Sequence, residues 1–285
     1  MKKLIAFLCA LVMVLSLCAC ASNSGTTADK APVDAAPAED AAAPAGDEAP
    51  AGEAPAEDAA DITTIDAGKL TISSSPDFPP FEYIDDNGDV VGIEPEIMAL
   101  IADKLGLELV IDEMDFDSAL LAAQQGKSDA VVSGVTVTDD RTLVFDFTDT
   151  YISITQAIVS KEGSGITMDN LGDYSIGAQR GTTGAIYVED DFGTDALTAY
   201  DTYTTAFQAL MNDQIDCIVL DDAVAEAYLK TYAGLEMAAT TYEPENFAFG
   251  VTKGNTALVD GINAALAELT ADGTVQSIID KYMAE

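Results

Sequence analysis

The sequence predicts an α/β fold of two lobes joined by two crossing strands. Three observations predict it. A β-α-β-α-β alternation is complete by residue 135, a second alternation fills residues 175–232, and two strand-like runs, residues 154–160 and 246–252, bracket that second set. Alternating strands and helices build a mostly parallel sheet flanked by helices. If both runs cross between sheets, one lobe is discontinuous, residues 62–155 plus 247–285, and the other, residues 156–246, is its insert. Ligands in such sheets bind beyond the carboxyl ends of the strands, here in the cleft between lobes.

Each element has its local reason. Leu70-Thr-Ile-Ser-Ser reads as a strand, and residues 92–105 as a helix. Pro95 suits its first turn, Ile93, Ile97, Leu100, Ile101 and Leu105 recur at helical spacing, and Gly106 stops it. A second strand follows at residues 107–111, a short helix closed by Gly126 at 117–125, and a third strand at 129–135. In the second set, residues 175–178 read as a strand and 183–189 as a helix start. Residues 204–212 form a helix with Phe207, Leu210 and Met211 inward, 216–220 a buried strand, and 222–232 a helix. Two amphipathic helices, residues 257–269 and 274–283, close the chain.

The first sixty residues read differently. Lys2 and Lys3 precede an apolar stretch at residues 4–17, then Leu17-Cys18-Ala19-Cys20. This is the pattern of a bacterial secretory signal, residues 1–20, ending in a lipobox with Cys20 as the lipidated residue. The stretch is short for the ~20 residues of a membrane span. Residues 21–61 are Ala/Pro/Asp/Glu-rich, without periodicity, and read as a disordered, self-repelling tether.

Charge and composition exclude several functions. The chain has 50 acids against 12 bases and no histidine. Residues 21–61 hold ten of the acids and one lysine, and residues 1–20 two lysines and no acid, so residues 62–285 keep 40 acids and 9 bases. Nucleic-acid binding needs a basic footprint, which is missing. Without histidine there is no His-dependent triad and no His-ligated metal. Cys9 and Cys18 leave with the signal and Cys20 carries lipid, so Cys217 in its apolar run is the one thiol remaining and reads as a core residue.

Both arginines of the chain, Arg141 and Arg180, sit in Gly/Thr-rich turns. A guanidinium grips a carboxylate with two parallel hydrogen bonds. Arg141 ends Ser133-Gly-Val-Thr-Val-Thr-Asp-Asp-Arg141, whose turn adds backbone N–H groups and hydroxyls at a strand end. The stretch is read as a holder of a ligand carboxylate; an ordinary pair with Asp139 is the alternative.

Further segments accompany it in order: Ser75-Pro-Asp-Phe-Pro-Pro-Phe-Glu-Tyr83, Asn87-Gly-Asp-Val-Val-Gly92, Met114-Asp-Phe116, Asp146-Phe-Thr-Asp-Thr-Tyr151, Gln179-Arg-Gly-Thr-Thr-Gly184, Asp216-Cys-Ile-Val-Leu-Asp-Asp222 and Ala271-Asp-Gly-Thr274. From about Leu70 to Tyr282 the chain resembles the family 3 extracellular solute-binding proteins, the polar amino acid receptors of ABC importers. The resemblance implies a periplasmic-binding-protein-like type II fold that captures an amino acid by hinge closure and delivers it to membrane permease subunits, with no cofactor, metal or catalytic residue. The lipobox and the long acidic tether point to a monomer held at the extracytoplasmic face by the lipid on Cys20, on a Gram-positive surface more than in a periplasm.

The resemblance also implies roles. Arg141 and Thr136 take the α-carboxylate, with Thr182 and Thr183 across the cleft, where a helix N-terminus offers N–H groups. Simple N-capping is the other reading of those threonines. Ser133 and Gly134 lie near the ammonium through oxygen acceptors. Asp221 matches the ammonium-binding aspartate, with Asp222 one residue away as the rival. Phe78 and Phe116 sandwich the side chain or serve as core aromatics. Ser75 stands where some relatives carry an aspartate. Gln179 and Arg180 reach toward the ligand side chain, and Asp77, Glu82 or Asp117 supply a negative charge to it. A dehydratase of the cyclohexadienyl type, and a surface sensor or adhesin, are the rival functions on this fold.

Overall fold

A computed structural model describes residues 62–240 and 242–284, all within one compact unit. The expected signal, lipobox and tether lie outside these residues. The architecture is α/β, as the alternation predicts. The first five-stranded sheet runs Glu108–Glu113, Lys69–Ser74, Ala130–Val131, Gly250–Thr252, Phe145–Phe147. Its first three strands are parallel, and Gly250–Thr252 is antiparallel to both of its neighbours. The second runs Leu197–Tyr200, Ile176–Gln179, Cys217–Asp221, Gln156–Lys161, Leu235–Ala239. It too is parallel over three strands and then reverses.

A two-stranded ribbon, Ile152–Ile154 against Glu245–Phe247, precedes one sheet and follows the other. Each expected crossing run is therefore two strands. Residues 154–160 break at Thr155, and 246–252 break at Ala248–Phe249. Both segments leave one ladder and join another, so a continuous strand-like run hides the break.

Other expectations shift. The third strand, expected over 129–135, shortens to Ala130–Val131. Gly134 takes the left-handed conformation (φ 56°) and turns the chain out of the sheet. A three-stranded meander, Asp77–Phe78, Glu82–Ile84 and Val90–Val91, precedes the helix Ile93–Leu105. Strands of two or three residues carry too little alternation to be read from sequence. The strands Leu197–Tyr200 and Leu235–Ala239 were likewise not legible; both lie at sheet edges and are largely unburied.

Helix faces follow their apolar spacing. Ile93, Ile97 and Ile101 are fully buried, while Leu100 and Leu105 are half-buried at the rim. In Tyr203–Met211, Phe207 and Leu210 point inward, but Met211 is 39% exposed, contrary to expectation. It is the last residue of the helix, beyond the packed stripe. Thr256–Ala271 buries Leu258, Ile262, Leu266 and Leu269, and Thr274–Met283 buries Val275, Ile278 and Tyr282. Cys217 is fully buried, and burial pushes its thiol up to about 12, as suits a core residue. Among the described residues no helix is long and apolar enough to cross a membrane.

Candidate functional site

The strand ends of both sheets meet around one small cavity. Ten of the eleven expected ligand residues line it.

Arg141 comes from the turn after Ala130–Val131. Thr138 caps the short helix Asp139–Thr142, its Oγ accepting the Arg141 N–H at 3.2 Å, and this fixes the arginine backbone. The guanidinium is 9% exposed and lies 5.6 Å from the Phe116 ring centroid. It donates to two carbonyl oxygens, Thr136 O at 2.9 Å and Gly181 O at 3.0 Å. Gly181 belongs to the loop after the second sheet, so this arginine already spans the cleft. Among the described residues no carboxylate lies within ion-pair distance of it, so Asp139 is not its partner. Burial pushes its pKa down to about 10, against the pull of Glu245 and Asp221. It is still a cation at neutral pH, and with no direct ion pair among the described residues its guanidinium is the group on this wall suited to a carboxylate.

The opposite wall is the loop into the helix Thr183–Phe192. Thr182 Oγ accepts the Ala185 N–H at 3.2 Å and donates to Gln179 O at 2.8 Å. Capping is thus realised at Thr182. Thr183 donates to Glu245 Oε2 at 2.8 Å. The first N–H groups of a helix lack intrahelical acceptors and carry its positive dipole end. With Arg141 they make a wall suited to a carboxylate.

Asp221 ends Cys217–Asp221 and accepts from Gln156 Nε2 at 2.8 Å. Asp222 is tied elsewhere, to Thr155 Oγ at 2.5 Å and its neighbouring Ala223 N–H at 2.8 Å. The one-residue ambiguity therefore resolves to Asp221 as the carboxylate on the cavity wall. Burial first, and then the Glu245 charge, push its carboxyl well above the usual range. A cation placed beside it would relieve that.

Residues 70–285 match the bacterial extracellular solute-binding proteins, family 3. The chain belongs to this family. It is 32% identical over 221 residues to ABC transporter arginine-binding protein 1 of Escherichia coli K12, covering 76% of this chain and 91% of that protein. It is 29% identical over 225 residues to the arginine-binding extracellular protein ArtP of Bacillus subtilis, covering 75% and 86%. Among solved structures, an ancestral arginine-binding protein bound to glutamine superposes with a TM-score of 0.73 at 36% identity, over 76% of this chain and 99% of that one. The fold is the two-lobed type II arrangement of such solute-binding proteins.

In this solute-binding protein the Ser133–Gly134 turn is held from behind by two buried glutamates. Ser133 Oγ donates to Glu82 Oε1 at 2.7 Å and accepts the Ser75 N–H at 3.0 Å. The Gly134 N–H donates to Glu94 Oε2 at 3.0 Å, and Tyr151 OH donates to Glu94 Oε1. The donors of the turn thus point away from the cavity, leaving oxygen acceptors on that side. Glu82 and Glu94 are both fully buried. Burial, then the Glu94 charge, push the Glu82 carboxyl well above the carboxylate range.

A Cβ on Gly134 would strike Phe78 Cε1 and approach Phe247 Cε2 to 3.2 Å. Gly134→Ala is expected to destabilise the protein by ~1–3 kcal/mol, because crowding and the left-handed backbone act together. Denaturant unfolding checks this; a variant as stable as the parent would show that the turn is loose.

Phe78 and Phe116 are both buried and both line the cavity. Phe78 stacks on Phe81 and Tyr203, with centroids 5.6 and 5.9 Å apart, and still faces the cavity. Ser75 is the exception among the eleven: its hydroxyl donates to Asp77 Oδ1 at 3.1 Å, outside the cavity wall. Arg180 is half exposed and pairs with Asp201 at 3.4 Å, so it faces away from the site. Asp77 is engaged with the second lobe rather than open to a ligand.

Sequence reasoning missed Glu245. It lies in the ribbon and accepts from Thr136 Oγ at 2.9 Å, Thr183 Oγ at 2.8 Å and Gln156 Nε2 at 3.3 Å. It thereby links both walls of the cleft. A single glutamate before Asn-Phe carries no local signal for this.

Proposed function

We propose that this protein captures an α-amino acid in the cleft and delivers it to the permease of an ABC importer. The observation that carries the reading is the pairing, within one small cavity, of an unneutralised Arg141 and a helix N-terminus with a desolvated Asp221. An amino acid brings a carboxylate and an ammonium, which complement the two. Thr136 joins Arg141 at the carboxylate, and the oxygens of Ser133 and Gly134 assist Asp221 at the ammonium. Phe78, Phe116 and Gln179 face the side chain. Arginine-binding relatives support an amino acid as the ligand.

The moving bodies are residues 62–155 with 247–285, and residues 156–246, turning about the ribbon. A ligand touching both favours the closed form by differential affinity. The protein is a monomeric binder and not an enzyme. It is exported and anchored through lipid on Cys20 at the extracytoplasmic face, on a Gram-positive surface, with residues 21–61 as tether.

A thermal-shift screen of the purified protein against the twenty amino acids tests the central reading. A ligand binding only the native state adds ~2.7 kcal/mol at a hundredfold excess over Kd. A rise in Tm with one or a few amino acids is expected. No rise with any, or turnover of a small cyclic acid, would remove the receptor reading in favour of a dehydratase or a docking module.

A further inference from the structure

Once Arg141 and Asp221 take the backbone of an amino acid, Gln179 is the polar group left for its side chain. Gln179 is 2% exposed and lines the cavity. Its Nε2 donates to Asp201 O at 3.1 Å and to Asp77 Oδ1 at 3.2 Å. A backbone carbonyl can only accept, so the amide nitrogen must lie on that side. Both of its hydrogens are used there. Oε1 has no donor among the described residues and, unlike Gln156 Oε1, is not sealed off.

Asp77 is itself held by the other lobe. Its Oδ2 accepts the Tyr203 N–H at 2.7 Å, at the start of Tyr203–Met211, and its carbonyl accepts Tyr228 OH at 2.7 Å. Ser75 supplies a further neutral donor. Among the described residues no cation lies within ion-pair distance of Asp77, so its charge is not cancelled locally. Asp77 sits in the meander of the first lobe, whereas Gln179, Tyr203 and Tyr228 belong to the second. These contacts therefore exist only when the cleft is shut.

The geometry points to Asp77 as a specificity-determining positioning residue, which on closure turns the Gln179 carbonyl toward the ligand side chain. The site then takes an amino acid whose side chain ends in N–H donors, an amide, guanidinium or ammonium, and turns away a carboxylate. An acidic side chain would meet a carbonyl oxygen and the Asp77 charge with no donor to satisfy it. This inference rests on the amino acid reading above.

Glutamine and glutamate have nearly the same shape and differ in donor against acceptor, so their ratio of Kd values isolates the effect. Titration calorimetry of the protein with glutamine, arginine and glutamate is the measurement. The parent is expected to bind glutamine or arginine ~100-fold or more tighter than glutamate, since a site built for a polar group leaves it unpaired with the wrong ligand. In Asp77→Asn the new amide can donate to Gln179 and let it turn over, and the glutamine-to-glutamate ratio should shrink about tenfold. Gln179→Leu should shrink it similarly while leaving Asp77 on Tyr203, and decides the matter if Asp77→Asn fails to fold. A purely structural loss would weaken both ligands equally and leave the ratio unchanged. A parent that prefers glutamate, or a ratio untouched in both folded variants, overturns the inference. A parent that binds no amino acid at all overturns the underlying reading with it, and looks different from binding without discrimination.

Discussion

Arg141→Ala is expected to weaken amino acid binding by ~2–5 kcal/mol, roughly thirtyfold to several thousandfold, because the ligand carboxylate would be buried without its charge partner. The companion variant Arg141→Met separates binding from folding. The guanidinium donates to two carbonyl oxygens and lies over the Phe116 ring. Methionine keeps the apolar stem against that ring but leaves the two carbonyls without their donor, at a cost of ~1–3 kcal/mol. The Tm of Arg141→Met should therefore fall only modestly, while the ligand-induced shift disappears. A variant that melts early and still binds would move the carboxylate elsewhere.

Glu94→Ala should cost ~2–5 kcal/mol of stability, since it strands Tyr151 OH and the Gly134 N–H in a dry interior. Glu82→Gln should cost less than ~1 kcal/mol, because a glutamine imitates the protonated acid and keeps an acceptor for Ser133. Urea unfolding of both variants checks the contrast; equal losses would mean that Glu82 is ionised. The pair also sets a pH dependence. The folded pKa of Glu82 is raised above its unfolded value, so the native state binds the extra proton. Its stabilising effect is complete below the unfolded pKa, near 4.5, and is lost as pH rises toward the folded one. Asp221 acts in the same direction. Asp146 and Asp216, whose pKa values are lowered by hydrogen bonds, act oppositely but lie near the surface, where such effects are screened. Stability should rise as pH falls toward about 4.5, with a shallower slope in Glu82→Gln.

How much was legible depended on range. The helices Ile93–Leu105 and Thr274–Met283 were readable because their burial follows local spacing. Arg141 was readable from its own Gly/Thr-rich turn, whereas Thr182 and Phe116 entered through the family resemblance; all three line the cavity. The ribbon was not, since the break at Thr155 depends on which strand lies alongside. Asp77 illustrates the same limit. From sequence it is an acid near a ligand, whereas in the fold its partners are Tyr203 and Gln179, more than a hundred positions away.

By itself the sequence determined the α/β class, the excess of acid over base, and the two arginines in their Gly/Thr-rich turns. These depend on periodicity and composition, which are properties of neighbours along the chain. Only the tertiary structure decided that Asp221 rather than Asp222 faces the cavity, that Arg180 faces away from it, and that Glu245 and Glu94 stand behind the site. The physical reason is that a buried polar group is defined by its partners, and those partners arrive from distant segments only when the sheets close around them.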